Sequence, residues 1–256
     1  MVDWQPELYR RFEAERTRPA AELLARIRHH VVYRAVDLGC GPGNSTQLLH
    51  QAWPQAAILG VDHSVAMIAE AERRLPQLSF YQADFTDWQA EEAVDLIFAN
   101  AALQWVGHHE RLLPHLIDQL ADQGILAIQM PDNLDQAYHR LMRETALLPQ
   151  WRPKMSALRN RDVLPDTAAY YDMLAGAGCS VDIWRTTYYH VMPDVKSIAA
   201  WLESTGLRPF LNLLDENERQ AFIDDYIAAL CREYPQQADG NILLPYPRLF
   251  LVAQKR

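Results

Sequence analysis

The protein has 256 residues, of which 49% are hydrophobic and 22% are charged, which is enough apolar material for one large α/β domain and excludes a disordered chain. Its formal net charge of −9 disfavours nucleic acid and anionic lipid as partners. No segment approaches the roughly 18 consecutive apolar residues that a membrane span needs.

The N-terminus and the cysteines give no indication of export. The first residues contain no apolar stretch typical of a secretory signal. The three cysteines are far apart and form no CxxC pair, so neither a disulfide framework nor a zinc site is expected. We therefore expect a reduced, cytoplasmic protein without a membrane partner.

The predicted elements begin with an N-terminal helical segment over residues 1–30, with Pro19 in the first turn of its helix. Short apolar runs then alternate with helical stretches, and Ser64 is expected to cap the helix after the second run. Five of these runs are candidate strands: residues 35–38, 57–62, 78–84, 95–100 and 124–130. This alternation predicts an α/β fold with a doubly wound, mostly parallel, Rossmann-like sheet.

The second half of the chain is predicted to add a helical cap from insertions and two last strands. Asp215, with Glu218 three residues later, has the spacing of a capping box at the start of a helix. We expect a single domain, 1–256, with an N-terminal lid over 1–30 and a cofactor-binding core over 31–130. The two cap insertions are 131–177 and 191–246, and the two final strand segments are 178–190 and 247–256.

A glycine-rich turn follows the first predicted strand, in the segment Val36-Asp-Leu-Gly-Cys-Gly-Pro-Gly-Asn-Ser-Thr46. The pattern is G-x-G-x-G with Asp37 two residues before the first glycine, unlike the G-x-G-x-x-G of dinucleotide sites or the G-x-x-x-x-G-K-[ST] of nucleotide triphosphate loops. It resembles motif I of class I S-adenosylmethionine-dependent methyltransferases. The resemblance implies the class I methyltransferase fold, and it implies that Asp37 favours the ammonium group of the cofactor.

Two further acids follow predicted strands at positions that match this family. The resemblance implies that Asp62 accepts hydrogen bonds from the ribose hydroxyls and that Asp84 accepts from the adenine amino group, with His63 and Phe85 beside the adenine ring. Either acid could instead cap the helix that follows it.

The resemblance implies a wider set of cofactor contacts, including Arg16, which could reach the cofactor carboxylate from the N-terminal segment. The complete set is Asp37, Gly39, Gly41, Asn44, Asp62, His63, Met67, Asp84, Phe85, Asn100 and Arg16. The cofactor is S-adenosyl-L-methionine, the product is S-adenosyl-L-homocysteine, and no metal is expected. His108 and His109 have no spaced ligand partner and are expected on a solvated loop.

The segment after the fourth predicted strand bears on the methyl acceptor. Residues 100–105, Asn-Ala-Ala-Leu-Gln-Trp, lack the N/D-P-P-Y/F pattern of amino methyltransferases for nucleic acids, in which the aromatic residue stacks on a flipped base. Nucleic acid is therefore not expected as the methyl acceptor. The Leu-Gln-Trp run resembles small-molecule carboxyl methyltransferases. In these, the donors of Gln104 and Trp105 can orient a carboxylate.

Segments along nearly the whole chain resemble carboxyl methyltransferases of small tricarboxylates, among them 129–133, 181–190 and 205–209. The resemblance implies a monomethyl ester as product. Because a carboxylate is already ionised at neutral pH, no residue is expected to act as general base. A tricarboxylate in a protein of net charge −9 requires local cations. The predicted substrate-binding residues are Gln104, Trp105, Arg185, Tyr188, His190 and Arg208, although both arginines could instead form surface ion pairs.

Two alternatives remain open from the sequence. Malonyl-carrier-protein methyltransferases, or other enzymes for small acids, share the Leu-Gln-Trp segment. A regulator that binds the cofactor without turnover would share the glycine turn. The sequence leaves open the oligomeric state, the carboxylate that is methylated and the role of the basic segment 151–161.

Overall fold

The computed structural model describes residues 13–158, 161–203 and 205–256, with side chains from residue 17 onward. Its strands are β1 (Arg34–Leu38), β2 (Ala57–Asp62), β3 (Ser79–Gln82), β4 (Val94–Asn100), β5 (Leu120–Pro131), β6 (Cys179–Met192) and β7 (Ile242–Lys255). Its α-helices are α1 (Glu13–Ile27), α2 (Asn44–Ala52), α3 (Val65–Arg74), α4 (His109–Asp118), α5 (Ala137–Ala146), α6 (Thr167–Gly176), α7 (Val195–Glu203), α8 (Arg208–Leu211) and α9 (Glu216–Glu233). Short 3₁₀ helices occur at η1 (Leu103–Trp105) and η2 (Lys154–Ala157).

In the described part of the chain the strands form a seven-stranded sheet with the order β3-β2-β1-β4-β5-β7-β6. Strand β1 pairs in parallel with both β2 and β4, and the pairs β2–β3 and β4–β5 are parallel too. The predicted doubly wound, mostly parallel sheet is confirmed. Because β2 and β4 lie on opposite sides of β1, the crossovers diverge there. The carboxyl end of β1 is therefore the switch point at which such sheets bind ligands.

Local capping predictions agree with the structure. The hydroxyl of Ser64 accepts a hydrogen bond from the backbone N–H of Met67, at 3.3 Å, at the start of α3. At the start of α9, the carboxylate of Asp215 accepts from the N–H of Glu218 at 2.9 Å, and the carboxylate of Glu218 accepts from the N–H of Asp215 at 3.2 Å. The predicted capping box is confirmed because each end supplies the partner that the other backbone N–H needs.

The predicted place of Pro19 in a first helical turn was wrong. Proline lies inside α1, which is described from Glu13 onward. An interior proline removes one backbone hydrogen bond of the helix. The apolar face of α1, with Leu23 and Ile27 at 0% and 1% exposure, is buried all the same, and this burial stabilises the helix across the defect.

The chain divides into two compact units. The first takes the described residues within Met1–Pro131, Leu164–Arg185 and Leu249–Arg256, and the second takes those within Asp132–Val163 and Thr186–Arg248. In the first unit, apolar side chains from β1, β2, β4 and β5 form the core, for example Leu38, Val61, Ile97 and Leu126. None of the described helices is long and apolar enough to cross a bilayer.

The second unit has its own core, in which α5 packs against α9. The hydroxyl of Tyr226 donates to the backbone carbonyl of Tyr138 at 3.0 Å, and the indole N–H of Trp151 donates to the carboxylate of Asp225 at 2.7 Å. The ring of Trp151 also meets that of Phe222 edge-on, with centroids 5.6 Å apart. These buried aromatic groups find hydrogen-bond partners inside the unit, as buried tyrosine and tryptophan require.

Candidate active site

The glycine-rich turn joins β1 to α2 at the carboxyl edge of the sheet. Gly39, Gly41 and Gly43 have φ angles of 68°, 54° and 88°, in the left-handed region that favours glycine. A Cβ atom on Gly39 would lie 2.3 Å from the Cβ atom of Ala102, so the turn passes against the segment after β4. A Cβ atom on Gly41 would meet no described atom within 4 Å. The backbone at Gly41 is therefore accessible to a ligand, whereas the protein itself closes off Gly39.

Asp37, near the end of β1, is completely buried and anchors this turn. Its Oδ2 atom accepts hydrogen bonds from the hydroxyls of Ser45 and Thr46, at 2.7 and 2.6 Å. Its Oδ1 atom is also buried and meets no hydrogen-bond donor among the described residues. Burial raises the pKa of Asp37 from its usual 3.8 to about 6, the negative charge of Asp62 adds to this rise, and the two hydroxyls oppose it.

Asp62, the last residue of β2, connects the glycine turn to α3. One carboxylate oxygen accepts the backbone N–H of Gly41 and the other accepts the backbone N–H of Ser64, both at 2.9 Å. The exposed ring of His63 lies 3.5 Å from the same carboxylate, and Met67 is buried within α3. Each oxygen keeps a second lone pair, so hydroxyl donors of a ligand remain compatible with these contacts.

The predicted adenine residues differ in their surroundings. Asp84 is exposed, and its Oδ1 atom accepts both the backbone N–H and the hydroxyl of Thr86, at 3.0 and 2.7 Å. Phe85 is buried in the core, with its Cε1 atom 3.6 Å from where a Cβ on Gly39 would lie. The local turn thus uses one oxygen of Asp84. The element described after β3 is the strand β4 and not a helix, so the alternative that Asp84 caps a helix was wrong. Phe85 packs beside the glycine turn.

The segment after β4 holds two further buried acceptors. Ala101 has a φ angle of 53°, and its N–H donates to the carbonyl of Gln129 on β5 at 2.8 Å. The side-chain amide of Gln104 donates to the carbonyl of Ala101 at 2.7 Å. The side-chain oxygens of Asn100 and Gln104 are buried and meet no donor among the described residues. Trp105 is 43% exposed.

The first unit therefore has three buried acceptor oxygens at the carboxyl ends of β1 and β4, on Asp37, Asn100 and Gln104. A buried polar atom without a partner is costly, and a ligand that supplies N–H or O–H donors removes the cost. An ammonium group and ribose hydroxyls are such donors. Asp37 and Asn100, which belong to the predicted cofactor set, thus fit the donors of S-adenosylmethionine.

The remaining predicted cofactor residues contribute less direct evidence. The side-chain oxygen of Asn44, at the start of α2, accepts from the guanidinium of Arg74 at 3.3 Å. The side chain of Arg16 lies outside the described residues. Arg18, two residues later, forms an exposed ion pair with Glu22 at 2.9 Å.

His109 was missed by the sequence reasoning, and its predicted place on a solvated loop was wrong. It is 3% exposed at the start of α4, whereas His108 is exposed as expected. The His109 ring makes two contacts, with the hydroxyl of Tyr170 on α6 at 2.7 Å and with the carbonyl of Leu103 in η1 at 2.9 Å. Because a carbonyl only accepts, Nε2 carries the proton and Nδ1 accepts from Tyr170. No local pattern signals this pair, since the two residues are 61 positions apart.

The two predicted substrate arginines belong to different units. Arg185 lies on β6 within the first unit, is exposed, and donates a short hydrogen bond to the hydroxyl of Thr167 at the start of α6. Arg208 is the first residue of α8 in the second unit and is half-buried.

Tyr188 and His190 lie together with other aromatic groups in the second unit. Tyr188 is buried, and the guanidinium of Arg248 lies 5.9 Å from its ring centroid. The ring centroid of His190 is 4.6 Å from that of Trp201 and 5.6 Å from that of Tyr246. Arg248 was given no role from the sequence, because its place beside these rings depends on contacts between residues far apart in the chain.

Metal-ligating side chains do not gather within the described ranges: no three His, Cys, Asp or Glu residues there are placed to hold an ion. The described cysteines are free, with Cys40 and Cys179 buried and Cys231 exposed.

Comparison with known proteins agrees with the fold and the motif. Residues 29–187 match the family described as a methyltransferase domain. The sequence is 54% identical over 255 residues to the trans-aconitate 2-methyltransferase of Shigella dysenteriae serotype 1, which covers 100% of this chain and 99% of the relative. It is 53% identical to the enzyme of the same name from Klebsiella pneumoniae (strain 342), with the same coverage.

A solved structure shows the same fold at low identity. Phosphoethanolamine N-methyltransferase 2 from Haemonchus contortus, in complex with S-adenosyl-L-methionine, has a TM-score of 0.57 and 17% identity, over 93% of this chain and 53% of that chain. The chain therefore belongs to the methyltransferase family, and within it to the branch that includes the trans-aconitate 2-methyltransferases.

Proposed function

We propose that this protein transfers a methyl group from S-adenosylmethionine to one carboxylate of trans-aconitate, giving the monomethyl ester and S-adenosylhomocysteine. The observation that carries the proposal is the 54% identity to trans-aconitate 2-methyltransferases over the whole of this chain, insertions included. The match spans the predicted cap insertions as well as the cofactor-binding motif.

The first unit supplies the groups that would hold the cofactor. The buried oxygens of Asp37 and Asn100 suit its ammonium group, Asp62 suits its ribose hydroxyls, and the open backbone at Gly41 permits close approach. When bound, S-adenosylmethionine supplies an electrophilic methyl group on a sulfonium centre. The predicted contacts of Asn44, His63, Met67, Asp84, Phe85 and Arg16 remain part of this proposal.

The reaction needs orientation rather than proton removal from the substrate. A carboxyl group with a pKa of about 4 is already ionised at neutral pH, so the attacking oxygen requires no general base. Orienting two reactants can supply about 7–11 kcal/mol of the lowered barrier. We assign this positioning to the donors of Gln104 and Trp105, together with Tyr188, His190 and the two predicted arginines.

We predict that Arg185→Ala and Arg208→Ala raise the KM for trans-aconitate about tenfold, because each removes a cation that can bind a carboxylate. S-adenosylhomocysteine affinity should stay within about twofold, since neither residue belongs to the proposed cofactor set. Steady-state kinetics and calorimetric titration measure the two quantities. An unchanged KM in both variants would remove these arginines from the substrate site.

A radiolabelled methyl-transfer assay tests the proposed function. Label from S-adenosylmethionine should enter trans-aconitate as a base-labile, volatile product, and enter cis-aconitate and citrate less. Label on malonyl-carrier protein instead would favour the carrier-protein alternative. Tight cofactor binding with label on no acid would show a cofactor-binding regulator and refute the proposal.

We infer a cytoplasmic enzyme with a small-molecule substrate and without a nucleic-acid partner. The net charge of −9 supports the last point, because an acidic protein is repelled by phosphate backbones. We further propose that the whole chain acts as one methyltransferase domain, with the helical insertions as its cap.

A further inference from the structure

Five cationic and aromatic side chains from distant parts of the sequence gather inside the second unit. They are Tyr138 on α5, Arg161, Tyr188 on β6, and Tyr246 and Arg248 on β7, and we call them the arginine–tyrosine cluster. The rings of Tyr138 and Tyr246 are stacked, with centroids 6.0 Å apart and an interplanar angle of 11°. The guanidinium of Arg248 lies 4.8 Å from the ring centroid of Tyr246 and 5.9 Å from that of Tyr188. This distance range is that of cation–π contact, which holds Arg248 in one place.

Arg161 joins the cluster through an amide bridge. Its Nη2 atom donates to the side-chain oxygen of Asn133 at 3.0 Å, and the side-chain nitrogen of Asn133 donates to the hydroxyl of Tyr138 at 3.0 Å. Because the Tyr138 oxygen accepts in this bridge, its own O–H hydrogen remains a donor. The cluster therefore combines two guanidinium groups with a fixed tyrosine hydroxyl donor.

The cluster brings two guanidinium groups together in a chain whose net charge is −9. Arg248 is only 3% exposed, and the Nε atoms of Arg161 and Arg248 are both shielded from solvent. Burial lowers the pKa of Arg161, and the negative charge of Asp132 is among the effects that oppose this shift. Beside them, His139 has a pKa lowered to about 3, first by burial and then by the charges of Arg161 and Arg143. Two guanidinium groups held in one largely buried cluster suit an anion as ligand.

We propose that Arg161, Arg248 and the hydroxyl of Tyr138 bind a carboxylate group of the polycarboxylate substrate. The inference rests on the proposed function, which supplies a substrate with three carboxylates, of which one is methylated and two need other partners. Guanidinium forks match carboxylates in a bidentate manner, and burial strengthens these contacts. Through Arg161, the basic segment 151–161 thus takes part in substrate binding. A second carboxylate site also explains why the enzyme would prefer an acid with more than one carboxylate.

The test compares Arg161→Gln and Arg248→Lys with Arg219→Gln in the full-length protein. Arg219 is an exposed arginine of the same unit that donates to the carbonyls of Leu211 and Leu214, outside the cluster. Calorimetric titration with trans-aconitate measures substrate affinity directly, methyl-transfer kinetics give KM and kcat separately, and titration with S-adenosylhomocysteine reports on the first unit.

We expect Arg161→Gln to weaken trans-aconitate binding, and to raise its KM, by about 10-fold to 100-fold, the loss that follows from removing a charge-assisted hydrogen bond. Arg248→Lys should do so by about 10-fold, because it keeps the charge but loses the bidentate fork of the guanidinium. Their S-adenosylhomocysteine affinity should stay within about twofold of the wild type, which also shows that they fold. Arg161→Lys should recover part of the loss because it restores the charge, and Arg219→Gln should behave as the wild type.

The outcomes separate this inference from the proposed function. Wild-type affinity for trans-aconitate in both Arg161→Gln and Arg248→Lys overturns the carboxylate site, even if the wild-type protein methylates trans-aconitate. An equal loss in Arg219→Gln overturns it as well, since the effect would then be general to the unit. If the wild type transfers no methyl group to trans-aconitate, the proposed function fails, and the titration still decides whether the cluster binds the polycarboxylate.

Discussion

Gly39 and Gly41 share a left-handed backbone but differ in the space around them. A side chain at Gly39 would collide with Ala102, whereas a side chain at Gly41 would point into open space. The same glycine pattern therefore has two separate causes. One position is required by the fold, and the other leaves room for a ligand.

We expect Gly39→Ala to lower the free energy of unfolding by at least about 1 kcal/mol more than Gly41→Ala, because overpacking adds to the backbone strain that both share. For Gly41→Ala, the loss in the free energy of S-adenosylhomocysteine binding should exceed the loss in the free energy of unfolding. Urea unfolding and calorimetric titration measure the two effects. Equal destabilisation by both substitutions would contradict the close approach to Ala102.

Asp37 predicts a pH dependence of stability. Its pKa is about 6 in the folded protein and 3.8 in an ordinary environment, so the folded state binds the proton more tightly between these values. The stabilisation is fully present below pH 3.8 and is lost as the pH rises through about 6. The difference in the free energy of unfolding between wild type and Asp37→Asn should therefore fall by up to about 3 kcal/mol across this window.

Urea unfolding of both proteins between about pH 4 and pH 7, without ligand, measures this difference. Asp84→Asn, which removes an exposed carboxylate, is the matched control. A difference between wild type and Asp37→Asn that does not change with pH would show that burial does not perturb this acid.

At the scale of elements, η1 depends on a contact that crosses from α4 to α6. His109 connects the carbonyl of Leu103 to the hydroxyl of Tyr170, and all three groups are buried. Through His109, Tyr170 on α6 therefore supports the turn that carries Gln104 and Trp105. His109 is a positioning residue in this arrangement.

We predict that Tyr170→Phe lowers the free energy of unfolding by about 1–3 kcal/mol, because Nδ1 of His109 becomes a buried acceptor without a partner. It should also raise the KM for trans-aconitate and leave S-adenosylhomocysteine affinity unchanged. Tyr171→Phe is the control, since Tyr171 is the neighbouring residue and is 54% exposed. Stability and kinetics equal to wild type in Tyr170→Phe would refute the positioning role.

Periodicity located the elements, but the structure extended several of them. The predicted strand 57–62 has the bounds of β2, while β5 begins at Leu120, ahead of the predicted residue 124, and β7 begins at Ile242, ahead of 247. Polar and proline residues at the start of these long strands conceal the apolar pattern. Pairing with a neighbouring strand, which is a long-range contact, decides where each strand begins.

At the scale of the whole molecule, the chain passes between the two units four times, at 131/132, 163/164, 185/186 and 248/249. Two of these passages lie within β6 and β7. Neither unit is therefore one continuous stretch of chain. Unfolding of the sheet in the first unit also disrupts the strands that continue into the second.

We expect a single cooperative thermal transition in differential scanning calorimetry for this reason. S-adenosylhomocysteine at 100 times its Kd should stabilise the folded state by about 2.7 kcal/mol and raise Tm by about 5–10 °C. Two separate transitions, of which the ligand shifts only one, would contradict cooperative unfolding of the interleaved units. The Asp37→Asn variant, with weakened cofactor binding, should show a smaller shift.

The sequence by itself determined the doubly wound sheet, the glycine turn with Asp37, and the acid at the end of β2, because each depends on residues close together in the chain. The tertiary structure decided which polar atoms are buried without partners, that His109 supports η1, and that Arg161 and Arg248 lie among the same tyrosines. These features depend on burial and on contacts between residues tens of positions apart, and no local pattern encodes such contacts.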